Sequence, residues 1–440
     1  MEAVILAGGR GKRLGRLTKN TPKPLIKIGG KPIIEHQILA LKRYGIKTIH
    51  VLSGYLGYQI KDYLRDGKRF KLKIEHIIEN KPLGTAGALK QLDGKLKNDF
   101  ILLSGDIIFD IDFTRFIKFH KKHKSSIATI AVHPNDHPFD SDLIQINEKG
   151  LVSDLILRKN KKHSKSIIFN NLANAGISII SPKIFNHITK KGIVDLEKDI
   201  FPKILKSCGI FVAYKTPEYI KDIGNKQRLA QASKDLKSGK VQMFNFRNKR
   251  CAIFLDRDGT INETGGIAGV KVSDLEIFPF IPRVIKKIND HGFLVIIISN
   301  QAAIAKGFLT FDDVANVHKK LEARLGLVGA KIDGIYFCPH YPEKGFDGEV
   351  MSLKKICSCR KPKIGLIKKA ASDFNIDLRK SFFVGDTTID AKTAENAGLK
   401  FIGVSTGHAL KDNNYKIKSG VKIVKNLSHA IGIIAKIKNY

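Results

Sequence analysis

The feature that most constrains this chain is a pattern that begins twice. Short β-branched runs ending in glycine or aspartate alternate with amphipathic stretches from Ala3, and the same alternation restarts at Ala252. It argues for parallel sheets covered by helices. Strands are expected at Ala3 to Leu6, Thr48 to Leu52, Lys73 to Ile78 and Phe100 to Leu103. A second set follows at Ala252 to Leu255, Phe293 to Ile298, Ile332 to Phe337, Ser381 to Val384 and Phe401 to Val404. Between the first two strands, Ile34, Ile38 and Leu41 recur at helical spacing and the pattern stops at Gly45. A chain of 440 residues exceeds what one hydrophobic core usually serves. After a helix expected over 225–239, the polar and basic stretch 241–250 separates the two runs. The expectation is an α/β chain of two domains, 1–240 and 251–440, joined by a linker at 241–250. No internal repeat relates the halves.

Composition narrows the class. Hydrophobic residues make up 43% and charged residues 27%, as in ordinary globular proteins. The longest apolar runs, such as "FLVIII" from Phe293, fall far short of a membrane span. The N-terminus shows no basic region before a long apolar core, so no signal peptide, no membrane partner and a cytoplasmic location are expected. The formal net charge of +36 is spread over both halves. Its basic stretches, near Lys68 and from Arg158, lack the interleaved aromatics that single-stranded nucleic acid favours. They read as solvated faces and phosphate steering, with no nucleic-acid partner. Self-association is left open.

The first chemical centre is "ILAGGRGKRLGRLTKNTPKP". A strand ends in Gly8, Gly9 and Gly11, which let backbone N–H groups approach an anion. Arg13 and Lys23 add positive charge around the same phosphates. Neither a Walker loop nor the dinucleotide fingerprint fits, since no Gly-Lys-Ser/Thr follows and the third glycine position is Leu14. "ENKPLGTAGAL" adds a second glycine turn at Gly84 and Gly87, "LLSGDIIFD" ends a strand in Asp106, and "YIKDIGN" offers Asp222. Together these resemble the sugar-phosphate nucleotidylyltransferases over about residues 1 to 240. The resemblance implies a Rossmann-like mixed sheet, a glycine loop holding a nucleoside triphosphate, Arg13 and Lys23 on phosphates, and Asp106 and Asp222 on Mg²⁺. "NAGISII", with Gly176, and "LEKDIFP", with Lys198 as a candidate grip on the sugar phosphate, match the sugar-side segments. The loop departs from the family at Lys12 and at Arg16-Leu17-Thr18.

The second centre is "CAIFLDRDGTI". Asp256 and Asp258 stand two apart at the end of an apolar strand, so both can face one cleft. Gly259 permits the turn and Thr260 is placed to cap it. "LVIIISNQ" ends in Ser299, with Asn300 and Gln301 beyond it, and its hydroxyl and N–H groups suit a phosphoryl oxygen. "CRKPK" supplies Arg360 and Lys361, and "FFVGDTTID" supplies Asp386 with Asp390 four residues on. Four such strand ends in this order resemble the haloacid dehalogenase superfamily of phosphohydrolases, over about residues 250 to 440. The resemblance implies a parallel sheet, Asp256 as nucleophile, Asp258 as acid and base, and Lys361 offsetting transition-state charge. It also implies Mg²⁺ on Asp256, Asp386 and the Asp258 carbonyl.

Three of the five cysteines lie between residues 338 and 359. With His340 they form Cys338, His340, Cys357 and Cys359, an S₃N set suited to structural, tetrahedral Zn²⁺. Cys208 and Cys251 read as small core residues. The loop runs directly into Arg360 and Lys361, and it resembles the D,D-heptose 1,7-bisphosphate phosphatases and their histidinol phosphatase relatives. In the heptose enzymes the loop after the nucleophile, here Thr264, Gly265, Gly266 and Ile267, helps bind sugar. Thr387 departs from their usual Lys. The first half most resembles the D,D-heptose 1-phosphate guanylyltransferases, which implies sugar phosphates and an NTP as partners and a GDP-heptose product. Two rivals remain: a histidinol phosphatase fused to another sugar nucleotidyltransferase, and a basic nucleic-acid-binding protein with decayed sites.

Overall fold

The computed structural model describes residues 1–147, 149–157, 168–189, 192–207 and 209–438. The basic stretch from Arg158 and Cys208 lie outside the described residues. The chain divides into two compact units. The first comprises residues 1–133, 144–157 and 173–247. The second runs from residue 248 to the end and also takes in residues 134–143 and the described part of 158–172.

The first unit is built on a nine-stranded mixed sheet. Strands Lys73–Ile78, Thr48–Ser53, Ala3–Ala7 and Phe100–Ser104 lie side by side and parallel, each within a few residues of its sequence expectation. Ala173–Ile180 then pairs antiparallel with Phe100–Ser104, which makes the sheet mixed. The helix Ile33–Arg43 turns Ile34, Ile38 and Leu41 onto the sheet. Burying that face supplies most of its stability, because isolated helices of this length are marginal. Parallel strands carry their loops to one edge, so the glycine loop after Ala7 and the turn after Ser104 open at the same end.

The second unit holds a six-stranded, all-parallel sheet. Its order is Gly334–Cys338, Leu294–Asn300, Ala252–Leu255, Phe382–Gly385, Lys400–Val404 and Lys422–Val424. Alternate residues of one strand serve opposite cores. Ile253 and Leu255 pack with the helices Ile281–Asp290, Phe311–Gly326 and Leu427–Lys438, while Ala252 and Phe254 pack with Gly365–Phe374 on the other face. A strand buried on both sides explains the continuous apolar run. Ala252–Leu255 sits at the centre, where neighbours come from opposite directions in sequence. A crevice opens at its carboxyl end, where ligands of such sheets bind. Cys251 is half-buried against this core.

Candidate active sites

In the first unit, Gly11 has φ of 62°, and a side chain there would strike Thr18 Cγ2. The close approach lets the Thr18 hydroxyl donate to the Gly11 carbonyl at 3.1 Å, which closes the loop that starts with Gly8 and Gly9. Lys23, buried, donates to Asp106 Oδ2. Buried Gln37 donates to the carbonyls of Ser104 and Ile107, both at 2.9 Å, and so fixes the turn that carries Asp106. Antiparallel pairing sets Asp222 opposite Ile107, and Arg228 donates to Asp222 Oδ2 at 2.6 Å. A methyl group on Gly224 would meet both Asp222 Oδ2 and Arg13 Nη2. Arg13, Lys23, Asp106 and Asp222 therefore converge on one strand end. The paired carboxylates suit a hard divalent ion, which would share them with Lys23 and Arg228.

The sugar-side segments also meet. Gly84 presses on the backbone of Val194, and Thr85 Oγ1 accepts the Leu196 N–H at 2.8 Å. Asn174, on the strand that carries Gly176, donates to Glu197 at 2.9 Å. Lys198 beside it is exposed. Sequence reasoning missed Glu79. It follows the Lys73–Ile78 strand, half-buried, and a methyl group on Gly8 or Gly54 would touch its carboxylate. Oε2 accepts the Leu83 N–H at 3.2 Å, no cation pairs with Glu79 among the described residues, and burial pushes its pKa up.

In the second unit, Asp256 Oδ1 accepts the N–H of Arg257 at 2.7 Å and lies 2.8 Å from Lys361 Nζ. Lys361 also pairs with Asp390 at 2.6 Å. Burial works against the Lys361 charge, but the two carboxylates more than offset it and hold the ammonium protonated. Asp386 is fixed from two sides: Thr260 donates to Oδ1 at 3.3 Å, and the His408 N–H donates to Oδ2 at 2.8 Å. Thr260 is thus a partner of Asp386, not a cap of its own turn. Gly259 has φ of 81°, and any Cβ there would collide with the Asp386 carboxylate.

Carboxylate oxygens of Asp256, Asp386 and Asp390 all lie within 4.8 Å of one another, and all three residues are buried. Burial, then the charge of Asp390, drives Asp256 well above the usual carboxylate range, and burial raises Asp386 to about 6. Three carboxylates against one ammonium leave an uncompensated negative charge, so the donor set fits Mg²⁺. The acidic side chain that completes this cluster is Asp390, and the Asp258 side chain turns elsewhere. Arg257 grips it with Nε on Oδ1 and Nη2 on Oδ2, both at 3.0 Å. Asn262 and Gln301 add donors at 2.9 and 2.8 Å. Burial alone would raise the Asp258 pKa, but Arg257 and these donors bring it below the ordinary value. Gln301 also donates to Ser299 Oγ at 2.8 Å.

Asp256, Asp258, Thr264 to Ile267, Ser299, Asn300, Gln301, Arg360 and Lys361 line one cavity of about 230 Å³. The expected set is thus brought together. Lys306 and His408, which sequence reasoning missed, line it too. Lys306 is 9% exposed and has no carboxylate partner among the described residues. It stacks over Tyr341 and Phe346, and burial followed by Arg360 lowers its pKa. Asn300 clamps the Lys361 backbone, accepting its N–H at 3.0 Å and donating to its carbonyl at 3.2 Å.

Next to this clamp, Cys338, His340, Cys357 and Cys359 converge. His340 Nδ1 is 3.2 Å from Cys359 Sγ, and the three sulfurs are 3.1 to 3.5 Å apart. Those separations are too long for a disulfide and close to the edges of a zinc tetrahedron with Zn–S near ~2.3 Å. Burial and the neighbouring thiols push Cys338 up, while burial of Cys357 is outweighed by hydrogen bonds from its neighbours, which bring it down; this S₃N set could hold Zn²⁺ as thiolates, with release of protons. Arg360 donates to the His340 carbonyl at 3.3 Å, tying the cluster to the cavity rim. Arg257, which sequence reasoning also missed, carried a signal: alternation turns a basic residue between two strand-end aspartates onto the opposite face, which a parallel sheet covers. Asp390 had one as well, as the fourth residue of the capping box that starts at Thr387.

A family model described as nucleotidyl transferase matches residues 2–239, and one described as HAD-hydrolase-like matches residues 358–430. A probable mannose-1-phosphate guanylyltransferase of Oryza sativa is 34% identical over 229 residues, 51% of this chain and 61% of the relative. The chain thus spans about three fifths of that relative's length. D-glycero-beta-D-manno-heptose-1,7-bisphosphate 7-phosphatase of Haemophilus ducreyi is 37% identical over 161 residues, 36% of this chain and 85% of the relative. The namesake from Yersinia pestis is 38% identical over 81% of its own length. Among solved structures, HddC from Yersinia pseudotuberculosis complexed with GMP-PN is 28% identical, covering 53% of this chain and 99% of that one, at a TM-score of 0.46. No helix among the described residues is long and apolar enough to cross a membrane. The chain belongs to the nucleotidyl transferase family through residues 2–239, and its second unit belongs to the family of the Haemophilus and Yersinia phosphatases.

Proposed function

We propose that the second unit removes the 7-phosphate of D-glycero-D-manno-heptose 1,7-bisphosphate and that the first unit joins the resulting heptose 1-phosphate to GMP from GTP. The observation that carries this reading is the cavity of the second unit. Its acidic floor, Asp256 with Lys361, handles one phosphoryl group, while Lys306 and Arg360 place further positive charge around the same space. A buried cation without a carboxylate partner, as Lys306 is among the described residues, calls for an anion from the ligand, and a bisphosphate brings a second one.

Asp256 forms a bond to phosphorus as the ester oxygen leaves and takes its proton from Asp258; Arg257 and its other donors favour the carboxylate in the free cavity, and the negative phosphoryl group arriving beside it raises its proton affinity so that it enters this step protonated. Asp258 then accepts a proton from water, which attacks the aspartyl-phosphate and frees Asp256 and phosphate. Mg²⁺ held by Asp256, Asp386 and the Asp258 carbonyl would neutralise charge on the phosphoryl oxygens. In the first unit, the amides of Gly8, Gly9 and Gly11 with Arg13 and Lys23 hold the triphosphate while a sugar-phosphate oxygen displaces pyrophosphate. Mg²⁺ on Asp106 and Asp222 would serve that displacement in the same way.

Glu79 favours guanine. A half-buried carboxylate with no cationic partner asks for paired N–H donors, which the N1–H and N2–H₂ edge of guanine presents together. Uracil and thymine would set two carbonyl oxygens against it. The test incubates the purified chain with the bisphosphate, Mg²⁺ and each NTP in turn, reading phosphate and pyrophosphate separately. Phosphate is expected in every tube and pyrophosphate with GTP above all, with Glu79→Gln cutting that preference about tenfold, the worth of one good recognition pair. No nucleotide-heptose with any NTP would overturn the reading.

A further inference from the structure

Behind the phosphatase cavity lies a charged group that the chemistry above leaves unused. Arg257 is completely buried, and its guanidinium faces away from Asp256. Besides the fork on Asp258, Nη2 donates to Gln301 Oε1 at 3.1 Å and Nη1 to His318 Nε2 at 3.1 Å. His318 sits in the middle of the helix Phe311–Gly326, on the face that also buries Val314, Val317 and Leu321. A guanidinium has donors alone, so Nε2 must be the accepting nitrogen and the proton sits on Nδ1. Burial, reinforced by the charge of Arg257, pushes the imidazole pKa down to about 3, which keeps that acceptor unprotonated at neutral pH. Asp258 reaches the cavity from the front of the guanidinium, and His318 holds it from the rear.

We infer that His318 is a positioning residue for leaving-group protonation: it fixes the rotation of Arg257, and Arg257 in turn fixes the carboxylate of Asp258 toward the ester oxygen. The inference rests on the reading of Asp258 as the acid. Without an acceptor at position 318, one arm of a fully buried cation is unpaired. The guanidinium then turns to find another partner, and the fork on Asp258 loses its plane. The error appears in the two steps where Asp258 handles a proton, delivery to the leaving oxygen and the later attack of water, and not in the binding of substrate or the attack of Asp256. Bound substrate still meets Asp256, Lys361, Ser299 and the rim cations in their places.

Two substitutions separate positioning from packing, because His318 also lies 5.6 Å from the ring of Phe337. His318→Phe keeps a ring and removes the acceptor, and His318→Gln keeps an acceptor and removes the ring. Each full-length variant is assayed on the heptose bisphosphate, whose alkoxide leaves only with a proton, and on p-nitrophenyl phosphate, whose phenolate leaves without one. For the aryl ester the initial burst of p-nitrophenolate is read, since it precedes water attack. His318→Phe is expected to lower kcat on the sugar ester about tenfold or more, within the share that acid catalysis contributes, with KM and the aryl burst nearly unchanged. His318→Gln is expected to recover most of that loss. Equal losses on both esters, no loss on either, or damage confined to His318→Gln would overturn the inference. Should His318→Phe not fold, His318→Leu serves as the second acceptor-free variant. Asp258→Asn is the control. If it fails to spare the aryl burst, the acid role of Asp258 itself is wrong, a result distinct from a failure at His318.

Discussion

Glu218 shows how far a single side chain can depart from its ordinary chemistry in this molecule. Its carboxylate accepts the N–H groups of Asp112 and Phe246, each at 2.8 Å, and the Thr216 hydroxyl at 2.8 Å. It therefore ties the helix that starts at Phe113 to the last turn of the first unit. Burial outweighs those donors and pushes its pKa up to about 7. A raised carboxyl stabilises the fold fully below its unfolded value near ~4.5, and that contribution is lost as pH rises through about 7. Glu218→Gln, which imitates the neutral form, should change little at pH 5 and stabilise the first unit by about 2 kcal/mol at pH 8.5. Urea unfolding of the whole chain at the two pH values reads the difference, and an equal effect at both would refute it. At this scale the sequence was uneven evidence. Asp256, Asp258, Lys361 and Asp386 were legible because strand-end carboxylates and a basic pair have few other uses. Glu79, Arg257 and His318 were not, because the contacts that single them out come from partners 4 to 61 positions away that only the fold brings close.

At the scale of elements, periodicity and terminators carried most of the information. The strands Lys73–Ile78 and Ala252–Leu255 fall where alternation and apolar runs put them, and the others are displaced at their ends by a residue or two. The antiparallel strand Ala173–Ile180 left no local sign, since its partner is chosen by tertiary packing. The cysteine loop was readable in its ligands and in its adjacency to Arg360 and Lys361. Its consequence would be mechanical: a metal on Cys357 and Cys359 would anchor the backbone just before Lys361, while Asn300 clamps the lysine itself. Purified protein should carry about one zinc per chain, four filled positions marking it as structural. Cys357→Ser should lose the metal and lower phosphate release by about tenfold or more, with pyrophosphate release held within twofold. Metal content and the two assays decide it, and a zinc-free variant with full phosphatase activity would remove the loop from the mechanism.

At the scale of the whole molecule, the proposed function gives the two units opposite chemistries: one would remove a phosphoryl group through a covalent bond to Asp256 and the other would add a nucleotidyl group with no bond to the protein. The division between residues 247 and 248 lies inside the polar stretch 241–250. The membership of residues 134–143 in the second unit had no such sign. There Pro138 packs against Gly326, where a side chain would collide with its ring, and a contact so distant in sequence leaves no periodic trace. On the proposed function, order of reaction is a property that the whole chain would have and neither unit would have alone. The 1-phosphate must survive the first step, because its oxygen is the nucleophile of the second. Asp256→Asn leaves a side chain of the same shape that cannot take up phosphate. With heptose 1,7-bisphosphate and GTP this variant should release neither phosphate nor pyrophosphate. Supplied with heptose 1-phosphate and GTP, it should make GDP-heptose at the unaltered rate. Pyrophosphate released from the bisphosphate by Asp256→Asn would mean that the first unit accepts the substrate before the 7-phosphate is removed, and the sequence of steps would have to be reversed.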